Sequence, residues 1–155
     1  MRINFFSDIH LEFGVAEIPV NDADIVIAAG DIGLNLQGLE WLNKIGKPVV
    51  YVAGNHEFYD HNYTEVITRL KHHAHGTNVN FLERDVFYHK NIRFIGCTLW
   101  ADLHIEGEEK VTILAKSLND FKRISYADGA FKPEIFSEIY AQSILWLEAE
   151  LSKPF

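Results

Sequence analysis

Three short apolar runs in the first 55 residues end in the same way, on polar side chains carried by a turn. Ile3-Asn4-Phe5-Phe6 leads into Ser7-Asp8-Ile9-His10, and Ala23-Asp24-Ile25-Val26-Ile27-Ala28-Ala29 leads into Gly30-Asp31. Pro48-Val49-Val50-Tyr51-Val52 leads into Ala53-Gly54-Asn55-His56-Glu57. The second run is almost unbroken in apolar residues, the pattern of a strand covered on both faces. Between the second and third runs, Leu36, Leu39, Trp41, Leu42 and Ile45 recur at about a helical turn, with Gly46 and Pro48 as stop signals. This β-α-β order favours parallel strands joined by a right-handed crossover. In such sheets ligands sit beyond the carboxyl ends of the strands.

The pattern continues as an α/β chain. Residues 11–21, with Gly14 and Pro19, read as a loop. Tyr63, Val66, Ile67, Leu70 and Ala74 keep helical spacing behind Asn62, a suitable N-cap. Asn78 to Leu82 reads as a strand, and Val86–His89 with Ile92–Trp100 as a hairpin around Lys90-Asn91. A helical piece is expected from Thr112 to Leu118, and a polar loop through Asp128-Gly129. Pro133 suits the first position of a last helix striped by Phe136, Ile139, Tyr140, Ser143, Ile144, Leu147 and Leu151. No repeat, low-complexity segment or linker interrupts the chain, so one domain over residues 1–155 is expected.

Composition narrows the partners. At 48% apolar, 155 residues suit a soluble globular domain. A formal charge of −8 argues against an indiscriminate grip on nucleic-acid backbone, which needs clustered Lys and Arg. It leaves open a phosphate substrate held through metal ions, because a bound cation dominates its local field. Cys97 is the single cysteine, which rules out an intrachain disulfide and fits a reducing compartment. The first residues lack a leader pattern, and no apolar run reaches membrane-spanning length. The expected address is the cytoplasm, with no membrane partner.

The polar groups after the three strands are Asp8 and His10, Asp31, and Asn55 with His56. Carboxylate, imidazole and amide oxygen together suit divalent Mn, Fe, Zn, Co or Ni. Two residues apart, Asp8 and His10 share a face of a straight strand; a bulge or turn would equally let both reach one ion. Asp31 has two oxygens with which to bridge two ions. Two ions about 3.5–4 Å apart form a clamp for in-line displacement at phosphorus. His56 can then protonate the leaving oxygen, and Glu57 can orient His56 as a neighbour of the ligands. Phe58 and Tyr59 stand close enough to line a substrate pocket, although core packing explains them as well.

Asp8-Ile9-His10, Gly30-Asp31 and Gly54-Asn55-His56-Glu57, in this order, resemble the calcineurin-like metallophosphoesterase family. The similarity, to bacterial members, continues through Phe94-Ile95-Gly96-Cys97-Thr98-Leu99-Trp100 and Asn119-Asp120-Phe121. The resemblance implies a sandwich of two β-sheets flanked by helices, an αββα arrangement. It implies two divalent metal ions, with Asp8 and His10 on the first, Asp31 bridging, Asn55 on the second, and His56 as the catalytic acid that contacts phosphate. The implied activity is hydrolysis of phosphate mono- or diesters.

The family pattern goes on to a lone His and a Gly-His-x-His motif, and neither is present. His72, His73 and His75 fall at a helix end, where imidazoles favour the helix dipole; His89 and His104 read as hairpin and loop residues. The expectation is therefore the N-terminal part of a phosphoesterase, truncated in its C-terminal portion, its activity impaired and its open sheet edge available for dimerisation. The alternative is a non-catalytic binding module, or an inactive fragment, that keeps the phosphoesterase fold.

Overall fold

Strand-forming runs build one parallel sheet, and everything that positions the candidate site lies at one end of it. The structure, a computed structural model, describes residues 1–17, 22–105 and 107–154. Strands β1 (Ile3–Phe6), β2 (Ile25–Ala29), β3 (Val49–Val52) and β4 (Val79–Phe81) pair in the order β1-β2-β3-β4, all parallel. Helix α1 (Gln37–Asn43) connects β2 to β3, and α2 (Tyr63–Ala74) connects β3 to β4. Asn62 caps α2 by accepting from the backbone N–H groups of Thr64 and Glu65 at 3.1 and 3.4 Å. The part of the expected loop at 18–21 lies outside the described residues.

The pleat sends alternate residues to opposite faces. Val26, Ala28, Val49 and Tyr51 face the helices and join Leu39, Leu42, Val66 and Leu70 in the larger core. Each large aliphatic or aromatic side chain fully buried there contributes about 1.5–3 kcal/mol. Ile25 and Val50 face the other way, where Leu82 and Phe94 meet them in a smaller cluster. Phe94 belongs to an antiparallel hairpin of β5 (Asp85–His89) and β6 (Ile92–Gly96) that forms a second layer. β1 is an edge strand, and on the hairpin side Ile3 and Phe5 remain 46% and 66% exposed.

This is a mixed α/β fold with a helix-flanked parallel sheet, as a metallophosphoesterase-like chain requires. Three boundaries differ from the expected ones. β6 ends at Gly96, short of Trp100, because the Thr98 N–H donates to the buried Glu83 carboxylate at 2.8 Å instead of to a strand. Helix α3 runs from Glu108 to Ser117, starting before Thr112. The polar loop expected through Asp128-Gly129 is a small hairpin, β7 (Ser125–Tyr126) with β8 (Gly129–Ala130) joined by a turn at Ala127-Asp128, that follows the one-turn helix α4 (Asp120–Arg123). Helix α5 (Pro133–Leu151) begins at its proline as expected. Among the described residues, no helix is long and apolar enough to cross a membrane.

Candidate metal centre

β1, β2 and β3 are parallel, so the turns that follow them emerge side by side. The first turn is strained: Asp8 and His10 have φ of 56° and 52°, in the left-handed region. Asp31, in the second turn, has φ of 55°. Asp and His tolerate this region better than most residues, yet each such position costs on the order of 1–2 kcal/mol. Backbone hydrogen bonds hold the strain in place. Asp8 N–H donates to the Gly30 carbonyl at 3.1 Å, His10 N–H to Asp31 at 3.0 Å and Leu11 N–H to Ile32 at 2.9 Å. The ladder between the two strands is thus carried on into their turns.

Two glycines let the second and third turns touch. At Gly30, with φ of 87°, an added Cβ would lie 2.9 Å from the Gly54 backbone. At Gly54 it would lie 2.3 Å from Oδ1 of Asp31. That oxygen also accepts the His56 N–H at 2.9 Å, which aims the carboxylate. As a result one ligand atom each from Asp8, His10 and Asp31 lies within 4.8 Å of the other two. Two carboxylates and an imidazole, gathered in a cradle that a Cβ would fill, fit a divalent cation.

The other side chains expected near the site divide. Asn55 uses its amide N–H groups on Asp120 Oδ1 and Tyr59 Oη, both at 2.9 Å, so the carbonyl oxygen is the atom left for a cation. His56 sits in a 3-10 turn beside His10, with ring centroids 4.3 Å apart. Tyr59 lies over His56 at 4.4 Å, and the Arg123 guanidinium, which pairs with Asp60, lies 4.4 Å from the Tyr59 ring on an exposed rim. Tyr59 therefore borders the site. Phe58 does not: it is fully buried against Tyr63 and Trp100, because the 3-10 turn rotates it into the core.

Glu57 also corrects the expectation, since it makes no bond to the His56 ring. Its buried carboxylate accepts the N–H groups of Asp31 (3.1 Å), Ile32 (2.8 Å) and Gly54 (2.7 Å), and the Tyr51 hydroxyl at 2.8 Å. Burial raises its pKa, and these donors offset that only in part. It ties the end of β2 to the end of β3.

The partner of His56 is Glu12, which sequence reasoning missed. His56 Nδ1 lies 2.7 Å and His10 Nδ1 3.1 Å from Oε1 of Glu12. Burial pushes the Glu12 carboxyl up, but hydrogen bonds from His56, its own backbone N–H and His10 together hold it below its ordinary value. The alternation Asp8-x-His10-x-Glu12 is the sequence signal that points to it. Asp120 stood in a matched stretch without a role. A cleft of about 450 Å³ opens beside Asn55 and Asp120, with Thr98, Trp100 and Phe136 on its walls.

The chain belongs to the calcineurin-like phosphoesterase family, whose sequence model matches residues 1–136. An uncharacterized protein of Acanthamoeba polyphaga mimivirus is 28% identical over 154 residues, covering 83% of this chain and 54% of that relative. The chain thus spans about half the length of this curated relative. No solved structure matches it.

Proposed function

We propose that this chain carries the first-metal half of a hydrolase for phosphate mono- or diesters, with Asp8, His10 and Asp31 as ligands of one divalent ion. The observation that carries the reading is the convergence of those three side chains within 4.8 Å at the ends of β1 and β2. A second ion would rest on the remaining valence of Asp31 and on the Asn55 carbonyl oxygen. Bound cations supply charge that polarises the phosphate and lowers the pKa of an attacking water.

The chain's own residues supply the rest. With Nδ1–H directed at Glu12, the His56 ring protonated at both nitrogens presents Nε2–H to the leaving oxygen, and it keeps Nδ1–H on Glu12 once that proton is given up. Asp120 and Tyr59 fix the Asn55 amide, and the cleft beside them receives the organic part of the ester. The two clusters of His and carboxylate ligand atoms among the described residues hold no imidazole beyond His10 and His56. Asn55 is neutral and adds little charge to hold a second ion. Turnover by this chain is accordingly expected to be slow, because small displacements of a reacting group cost about a hundredfold.

The test is hydrolysis of para-nitrophenyl phosphate and its bis-ester with manganese. Slow turnover that stops with a chelator and with His56→Ala supports the reading. Equal rates for the parent chain and His56→Ala would remove it.

A further inference from the structure

Glu12 is a partly buried carboxylate with an uneven set of partners. Oε1 takes two imidazole Nδ1 atoms, at 2.7 and 3.1 Å, while Oε2 is buried with no hydrogen-bond partner among the described residues. A buried polar atom without a partner costs about 1–3 kcal/mol, so stability alone gives no reason for the arrangement. What the arrangement does accomplish is orientation. The Glu12 carboxylate accepts and cannot donate, so each ring that bonds to it must present Nδ1–H. In each ring Nε2 is then the working atom. For His10 that atom faces Asp8, whose Oδ1 is 3.9 Å away. The same oxygen thus sets two rings whose centroids lie 4.3 Å apart.

We infer that Glu12 is a positioning residue that fixes Nδ1–H on both His10 and His56 through one shared oxygen, leaving the Nε2 lone pair of the first for the cation and Nε2 of the second free to take up a proton and pass it to the phosphate ester. The inference deepens the proposed function and rests on it for what the two Nε2 atoms meet; the tautomers themselves stand apart from it. Its position also explains the left-handed turn. His10 φ of 52° starts the 3-10 turn Leu11–Phe13 that brings Glu12 back beneath the two rings. A ligand histidine commonly gives its other N–H to a carboxylate, and loss of such a partner typically costs about 10–100-fold in metal affinity.

Long-range proton–nitrogen NMR of the metal-free chain, at a pH well above the ordinary histidine range, reads the tautomers directly. His10 and His56 should both be Nδ1–H in the parent chain. In Glu12→Ala both should relax toward the Nε2–H form that free imidazole side chains prefer, and in Glu12→Gln, which keeps an acceptor oxygen, Nδ1–H should largely return. Manganese affinity, followed by electron paramagnetic resonance, should fall about 10–100-fold in Glu12→Ala and recover at least in part in Glu12→Gln. Nε2–H rings in the parent chain, or tautomers unmoved by Glu12→Ala in a folded protein, would overturn the inference. If the parent chain bound no manganese while its tautomers followed Glu12, the metal reading would fail and the positioning of the rings would stand. Should Glu12→Ala not fold, the parent spectrum together with Glu12→Gln still decides the matter.

Discussion

Two glutamates flank the same site and hold it by opposite means. Glu57, after β3, is fully buried and receives three backbone N–H groups and a tyrosine hydroxyl, so both its oxygens are satisfied by the frame itself. Glu12, after β1, receives two imidazoles on one oxygen, and the other has no partner among the described residues. The first carboxylate welds two strand ends; the second sets two side chains. A residue bound to backbone is expected to matter for stability, and one bound to imidazoles for the site.

The largest expected effect follows from Glu57. Glu57→Ala strands several buried donors at once, and a loss of about 3 kcal/mol or more is expected in urea unfolding. Glu12→Ala should change stability by less than about 1 kcal/mol, because it also removes an oxygen that had no partner. Comparable losses for the two would erase the distinction. A smaller effect is expected from Gly54→Ala, where the new methyl would sit 2.3 Å from Asp31 Oδ1. Overpacking of this kind costs roughly 1–3 kcal/mol, and the displaced carboxylate should abolish manganese binding. Binding of parental strength in a folded Gly54→Ala would mean that the contact between the turns does not shape the site.

Cys97, beyond the end of β6, touches neither glutamate but lines the cleft beside Asn55 and Asp120. Burial raises its thiol pKa from 9.0 to about 11. A raised pKa means that the fold favours the protonated thiol. Its contribution is fully present below pH 9.0 and is lost as the pH rises toward about 11. Alkylation of the folded chain by iodoacetamide should stay slow at pH 9.0 and accelerate only on approach to about 11. Rapid reaction at neutral pH would show that this end of the hairpin opens.

The frame was legible in the sequence because it is written in local signals. Apolar runs closed by turn residues marked β1, β2 and β3, and the Asp8-x-His10 and Gly30-Asp31 spacings marked their ends. The pairs that complete the site were not legible, since they join residues far apart. Glu12 meets His56 across 44 positions, and Asn55 meets Asp120 across 65. Adjacency misled in two places. Glu57 follows His56 in sequence, but the 3-10 turn points its carboxylate at the end of β2; the same turn buries Phe58. A left-handed residue such as His10 redirects every side chain after it, and no apolar periodicity records that.

Asp8, His10 and Asp31 should together hold one divalent cation, which a manganese titration of the 155-residue chain followed by electron paramagnetic resonance reads out. One site of modest affinity is expected, weakened about tenfold or more by Asp31→Ala, since a carboxylate ligand and its charge are both lost. Unchanged affinity in a folded Asp31→Ala, or no binding to the parent chain, would show that these three side chains do not form a cation site.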